Sequence, residues 1–411
     1  MNLDREPDPI FGTEVERALG AIPRNASALE VALFLRSELD EPELARRAAE
    51  LHELRARAKR RLGDDRLGFL TRKGVEQASA LPVARSRARR IASRAGAGIV
   101  LDATCGVGSD ALALLDAGLA CVAADRDWTA LRCARANLVR AGHAGRVVLA
   151  DALRPAVRAE WLVADPDRRA GGARSRDPER ASPPLGRLLA VARRFRGACV
   201  KLPPAFDPGP LEGELEGASW QWVSSGGELA EVALWLGELA GPARREALAL
   251  GPRGEESRLS GPLATVAPLE PDAARRVAWL AEPDPAVIRS GLVGRLAADV
   301  GMAPLAPGIA YLGGDARPSS PLLRAWRVLG TAPLDRRRVR ELLRQHDVGP
   351  LTVKKRGHPD PAAALERRLR GPGSRRGLLA VTRLERGHLA LLLAAGPRVG
   401  DEGLEPPTSS S

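Results

Sequence analysis

Aromatic side chains are scarce: Trp, Tyr and Phe make up 3% of the 411 residues, with a single Tyr. A core of stacked rings is therefore excluded, and packing must rest on Leu, Val and Ala. Cysteine is also scarce. Cys105, Cys121, Cys133 and Cys199 form no CxxC pair, and the five histidines do not gather near them. That spacing excludes the usual structural zinc patterns, so no metal is expected and the thiols read as buried ones. No apolar run approaches the roughly 20 residues of a membrane span. The opening "MNLDREPDPI" is acidic and contains Pro, which is wrong for a signal peptide. A soluble, cytoplasmic protein without membrane contact is expected.

Lysine is nearly absent, at five of the 63 basic residues. Arginine supplies the rest of a net charge of +12, which attracts polyanions such as RNA. Heavy use of Arg, Ala, Gly and Pro together also looks like a GC-rich coding bias. The charge therefore supports nucleic-acid binding without establishing it.

What the chain does have is alternation. Residues 1 to 20 read as loose. "SALEVALFLRSELDEPELARRAAELHELRARAKRRL", from Ser27, reads as two helices broken near Asp40-Glu41-Pro42. A basic helix follows toward Ile91, whose Arg85, Arg87, Arg89 and Arg90 read equally as a solvated face or as RNA contacts. From residue 98 to about 205, "GIVLDA", "ACVAAD", "RVVLAD", "AEWLVADPD" and "GACVKLP" alternate with helical runs. That pattern predicts βαβ units and a parallel sheet covered on both faces. "WQWVS" and "REALALG" add two strands, and "GPRGEESRLSGP" reads as a linker. Beyond Pro268 the pattern is α+β. "DPAVIRSGLVGRLAADVG" reads as one amphipathic helix, "GIAYLGG", "RAWRVLG" and "LTVKKRG" as strands, and "GLLAVTRLERGHLALLLA" as a hairpin.

The first strand of the alternation ends at Asp102 and runs into Cys105-Gly106-Val107-Gly108. Strand, glycine turn and helix make a generic nucleotide site, because glycines let the backbone approach the ligand. Asp125 lies nineteen residues after Gly106 at the end of the second strand, where an acid accepts both ribose hydroxyls. Asp151 ends the third strand, near the place of an adenine edge. A dinucleotide site would carry a third glycine, but Asp110 and Ala111 occupy that region. Acids before and beside the glycines repel a pyrophosphate and suit the ammonium of a methionine moiety. The turn therefore asks for S-adenosylmethionine; a dinucleotide and a ligand-free relic are the alternatives.

"DATCGVGSDALAL", "AADRD", "VVLADA" and "ADPDRR" resemble the nucleotide-binding motifs of class I S-adenosylmethionine-dependent methyltransferases. More narrowly, "TRKGVEQAS", "CGVGSDALAL", "ADPDRR", "WVSSGGELAEVALWLG", "EPDPAVIRSGLV", "IAYLGGD" and "LTVKKRG" resemble a bacterial group with a C-terminal THUMP-like domain, over residues 65 to 395. THUMP domains are RNA-binding modules in tRNA-modifying enzymes, so the resemblance implies an RNA substrate, tRNA or rRNA.

Methyl transfer from a sulfonium needs alignment more than acid–base help. The acceptor belongs at the end of the fourth strand, here Asp165-Pro166-Asp167-Arg168-Arg169. Methyltransferases acting on exocyclic base amines commonly show Asn/Asp-Pro-Pro-aromatic there. This chain keeps Asp165-Pro166 as catalytic candidates but has no stacking aromatic, which puts that geometry in doubt. Arg168 and Arg169 either hold a phosphate or base, or pair with Asp165, Asp167 or Asp177. Cys105 reads as a packing residue facing the cofactor, with a catalytic thiolate for carbon methylation as the alternative. Lys201 points into the cleft or caps the sheet end. In "LTVKKRG", alternation puts Lys354 and Arg356 on one face and Lys355 on the other. Two of the five lysines fall here, which favours phosphate contact; edge-strand protection is the alternative.

The whole reads as an α/β protein. It has a helical region over 1–95, a Rossmann-like methyltransferase domain over 96–251, a small THUMP-like α+β domain over 268–396 that binds RNA, and a disordered tail over 397–411. The rival functions are a non-catalytic RNA-binding protein that keeps the fold and a small-molecule methyltransferase.

Overall fold

The computed structural model describes residues 8–63, 65–96, 98–167 and 177–394. Arg168, Arg169 and the tail expected over 397–411 lie outside the described residues. The chain divides into two compact units. One runs to Arg244 and regains Leu250–Glu256; the other holds Arg245–Ala249 and the chain from Ser257 onward.

The first unit opens with five helices: α1 (Thr13–Gly20), α2 (Ala28–Glu38), α3 (Pro42–Leu62), α4 (Arg72–Gln77) and α5 (Leu81–Arg94). Ser27 caps α2 through a reciprocal pair with Glu30, whose carboxylate accepts the Ser27 N–H at 2.7 Å. Prolines stand in the first turns of α3 and α5, where a missing N–H has no helical partner to lose. α1 departs from the expectation of a loose segment over 1–20: Val15, Ala18 and Leu19 bury one face of it.

Then come β1 (Ile99–Asp102), α6 (Ser109–Asp116), β2 (Ala120–Asp125), α7 (Trp128–Arg140), β3 (Val147–Leu149), β4 (Trp161–Ala164), α8 (Leu185–Ala192), β5 (Gly197–Leu202), α9 (Gly209–Glu212), β6 (Ser219–Ser225) and β7 (Glu228–Gly237). The strands lie in the order β3-β2-β1-β4-β5-β7-β6. β1 to β5 pair in parallel, and β7 runs antiparallel between β5 and β6. This is a Rossmann-like sheet. Its order reverses between β1 and β4, which opens a crevice beyond their carboxyl ends. β4 and β5 are buried at every residue. Trp161, Trp220, Trp222 and Trp235 are fully buried, so four of the seven tryptophans pack this sheet.

β7 is a strand that the periodicity did not reveal. Its "ELAEVALWLG" is rich in Glu, Leu and Ala, which suit a helix as well as a strand. A further strand, β9 (Glu256–Ser260), follows β8 (Arg245–Leu250) within the stretch read as a linker. The division between the two units falls in these two strands.

The second unit contains α10 (Pro271–Ala274), β10 (Trp279–Pro283), α11 (Pro285–Ser290), α12 (Val293–Asp299), β11 (Ala303–Pro304), β12 (Leu312–Gly314), β13 (Leu323–Pro333), α13 (Arg336–Gln345), β14 (Val348–Arg356), α14 (Ala362–Leu369), β15 (Arg375–Arg383) and β16 (His388–Leu393). The one amphipathic helix expected over 284–301 is two, α11 and α12, because Gly291 at φ +78° turns the chain between them. The sheet order is β11-β12-β10-β13-β16-β15-β14, with only the β14–β15 pair parallel. Alternation along β15 and β16 sends residues to two cores. Leu379, Val381 and Leu392 meet Val339 and Leu343 of α13 and Leu365 and Leu369 of α14. Ala380, Leu389 and Leu391 meet Tyr311 and Trp326.

Candidate active site

The crevice at the carboxyl ends of β1, β2, β4 and β5 is a cavity of about 890 Å³. Gly106 and Gly108 form its floor turn at φ +53° and +88°, values that favour glycine. A Cβ on Gly108 would stand 3.2 Å from Ala134 Cα, so the turn also lies close against α7. Asp125 holds the turn in place: its Oδ2 accepts the Gly106 N–H at 2.9 Å and its Oδ1 the Asp127 N–H at 2.8 Å. Asp127 then caps α7. Asp151 also lines the cavity, its Oδ1 accepting the Leu153 N–H at 2.9 Å.

Asp102 lies deeper than these wall residues. It is 2% exposed, and its Oδ2 is buried without a hydrogen-bond partner. Burial, and then the neighbouring Asp110, push its carboxyl up to about 8. Asp110 is held in the opposite direction. Burial raises it, but Arg87 and Lys201 outweigh that and keep it below the ordinary carboxylate range. Cys105 is buried in the turn, and burial together with Asp102 and Asp125 drives its thiol well above the usual value. It is a thiol, not a nucleophilic thiolate.

A chain of alternating charges runs beneath the site. Glu231 of β7 accepts from Arg87 of α5 at 2.5 and 2.7 Å. Arg87 also pairs with Asp110. Lys201, at the end of β5, reaches Asp110 at 3.1 Å and Asp165 at 2.5 Å. Thr104 Oγ1 accepts the Asp165 N–H at 2.6 Å, tying the glycine turn to the loop after β4. Lys201 thus lines the cleft, bonded to two carboxylates of its wall. Burial opposes its charge, but Asp110 and Asp165 hold the ammonium above its ordinary range.

These contacts correct the expectation for the basic helix α5. Arg87 and Arg90 are 4% and 7% exposed, and neither is a solvated face or an RNA contact. Arg90 lies over Trp235 at 4.3 Å and reaches Ser219 Oγ at 3.2 Å. Arg89 pairs with Glu256.

Lys73, Gln77 and Asp167 close the side of the cavity beyond β4. Asp167 accepts from Gln77 Nε2 at 2.7 Å and pairs with Lys73 Nζ at 2.8 Å. Both donors come from α4, the "RKGVEQ" of a motif already noted for its resemblance. Six prolines line the cavity, among them Pro166, Pro203 and Pro204, and among the described residues no aromatic does. Among the described residues, ten carboxylates and five cations stand in the wall, in a chain whose overall charge is positive. An orphaned buried carboxylate oxygen, a glycine turn fastened by Asp125 and an acid-rich wall together fit a ligand that carries an ammonium and a sulfonium. They do not fit a pyrophosphate.

In the second unit, β14 is an edge strand, and the expected alternation is observed. Lys354 and Arg356 share Glu282, at 2.5 and 3.0 Å, and lie over Trp326 and Tyr311. Lys355 donates to the His358 carbonyl at 2.7 Å. All three cations thus have protein partners. Among the described residues no group of three or more His, Cys, Asp or Glu is placed to hold a metal. None of their helices is long and apolar enough to cross a membrane.

Residues 323–395 match the family described as THUMP domain-like. Over 336 residues the chain is 37% identical to an uncharacterized S-adenosylmethionine-dependent methyltransferase from each of two strains of Mycobacterium tuberculosis, spanning 79% of this chain and 87% of each relative. The fold is similar to that of a crystal structure from Porphyromonas gingivalis W83 described as a methyltransferase. The TM-score is 0.72 at 19% identity, over 94% of this chain and 98% of that one. The chain is thus a member of the S-adenosylmethionine-dependent methyltransferases.

Proposed function

We propose that this methyltransferase acts on RNA, with residues 96–251 as its catalytic domain and 268–396 as its RNA-binding domain. The observation that carries the reading is a separation of charge. Residues 323–395, the THUMP domain-like segment, hold 17 Lys and Arg against 6 Asp and Glu, and so carry +11 of the net +12. The rest of the chain is close to neutral. A coding bias toward arginine would act along the whole length, whereas this excess sits in one segment. Polyanion attraction belongs to that segment, and the acid-rich cavity is left to a cationic cofactor.

S-adenosylmethionine supplies an activated methyl group on a neutral leaving group. The chain's own residues bind, orient and accept protons. Asp125 would hold the ribose hydroxyls, Asp151 the adenine edge, and Asp102, from beneath the wall, would balance the charge of the ammonium. Asp110 acts through Lys201, not on the cofactor. Asp165 accepts an N–H of the methyl acceptor, with Lys201 fixing the direction of its carboxylate. Pro166 and the other wall prolines supply the flat apolar surface that an aromatic provides elsewhere. A cytoplasmic location follows for an enzyme of tRNA or rRNA.

Mass spectrometry of tRNA and rRNA nucleosides from a deletion strain and its parent tests the reading. One methylated nucleoside should disappear, and should return with the wild-type gene but not with Asp165→Ala. Unchanged RNA nucleosides would reject the RNA reading and favour a small-molecule acceptor.

A further inference from the structure

The sequence points to Lys354, Lys355 and Arg356 as the phosphate contact, but their charges are already engaged by Glu282 and the His358 carbonyl. Among the described residues, exposed arginines without a side-chain partner stand at several places of the segment, Arg324, Arg327, Arg376 and Arg386 included, and they are densest on two helices. Arg336, Arg337, Arg338 and Arg340 of α13 are all exposed, and so are Arg367 and Arg370 in and just beyond α14. None of the six side chains makes a hydrogen bond or ion pair among the described residues. The two helices cover the same face of the sheet, because Val339, Leu342 and Leu343 of one and Leu365 and Leu369 of the other enter one core.

Helical spacing gathers these charges. Arg336, Arg340 and Arg337 fall within about 100° of the α13 circumference, and Arg336 and Arg340 are separated by about 6 Å of rise. Like charges four residues apart oppose helix formation. α13 is held down by its buried Val and Leu, so the arginines are tolerated at that position without helping to fold it. A surface of like charge that is costly alone and relieved by a counter-charge suits a polyanion. Guanidinium forks suit phosphate in particular.

We propose that the RNA backbone docks on the outer face of α13 and α14, through Arg336, Arg337, Arg340, Arg367 and Arg370, and not on the β14 edge. The inference rests on the RNA reading above. It adds the surface, and it makes the contact sequence-independent, since the ligand is phosphate.

The full-length chain carrying Arg336→Ala, Arg337→Ala, Arg340→Ala and Arg367→Ala tests it. The probes are a labelled tRNA transcript and labelled poly(U), titrated across a KCl series. The variant should lose on the order of ten-fold or more in affinity for both probes, and the salt slope should fall by up to about 3, from roughly 0.7 per contact on a single strand. Circular dichroism and S-adenosylmethionine calorimetry should match wild type. Removing the same charge from exposed positions of the first unit, with Arg17→Ala, Arg24→Ala, Arg36→Ala and Arg60→Ala, should leave RNA affinity and slope nearly unchanged. Wild-type RNA binding that the α13–α14 variant retains in full would overturn the surface alone. A wild-type chain with no affinity for either RNA would overturn the RNA reading itself. Binding to anionic phospholipid vesicles in place of RNA would overturn both.

Discussion

Lys201 Nζ lies 2.5 Å from Asp165 Oδ2, and Lys201 is only 6% exposed. A buried cation at the end of β5 thus fixes the carboxylate that follows β4. Lys201→Met strips Asp165 of this partner and leaves Asp110 with Arg87 and Ser79. Removing one member of a fully buried ion pair typically destabilises by about 3–5 kcal/mol. The Asp165 side chain is 36% exposed and Asp110 keeps Arg87, so urea denaturation should show a smaller loss. A variant as stable as wild type would mean that the ion pair contributes little to the fold.

Asp165→Ala should lower methyl transfer by about a hundred-fold or more, the scale of a misplaced acceptor. Affinity for S-adenosylmethionine should change little, because the proposed cofactor contacts are the glycine turn and Asp125. Single-turnover rates beside calorimetry separate the two. Full turnover by the variant would place the acceptor away from β4.

Asp102 gives a pH dependence of stability. Its carboxyl is raised from 3.8 to about 8 by burial and by Asp110. Between those values the folded chain keeps a proton that the unfolded chain releases, so this group lowers stability as pH rises from about 4 to about 8. Asp102→Asn should match wild type near the lower limit and exceed it increasingly toward the upper one. It should also bind S-adenosylmethionine less tightly. Denaturation curves that fall in parallel with pH for both proteins would contradict the assignment.

Two arginines two residues apart on α5 should behave differently. Arg87, engaged by Asp110 and Glu231, should cost about 3–5 kcal/mol when changed to Met. The exposed Arg85 should cost less than about 0.5 kcal/mol when changed to Ala. Thermal unfolding of the two variants checks this, and equal effects would contradict it.

That contrast marks the limit of what could be read from sequence. The strand ends at Asp102, Asp125 and Asp165 and the turn at Gly106-Gly108 were legible because they are local: apolar runs, glycines and acids follow one another directly. Which arginines of α5 are buried depends on Glu231 for Arg87, 144 residues away, and on Ser219 and Trp235 for Arg90, and no local pattern carries that. The same holds for Gln77 and Asp167, 90 residues apart. β7 was missed because Ala, Leu and Glu satisfy either period. The charge of residues 323–395 was legible in principle, but a whole-chain total of +12 conceals that nearly all of it lies in one segment.

On the proposed function the chain moves a methyl group from S-adenosylmethionine to RNA. The most direct test uses the purified protein, methyl-labelled S-adenosylmethionine, and total RNA from a strain lacking the gene and from its parent. Label should enter RNA from the deletion strain and not from the parent, whose site is already methylated. Asp165→Ala should abolish incorporation. No label in either RNA, with label found instead in a small molecule or in protein, would contradict the account.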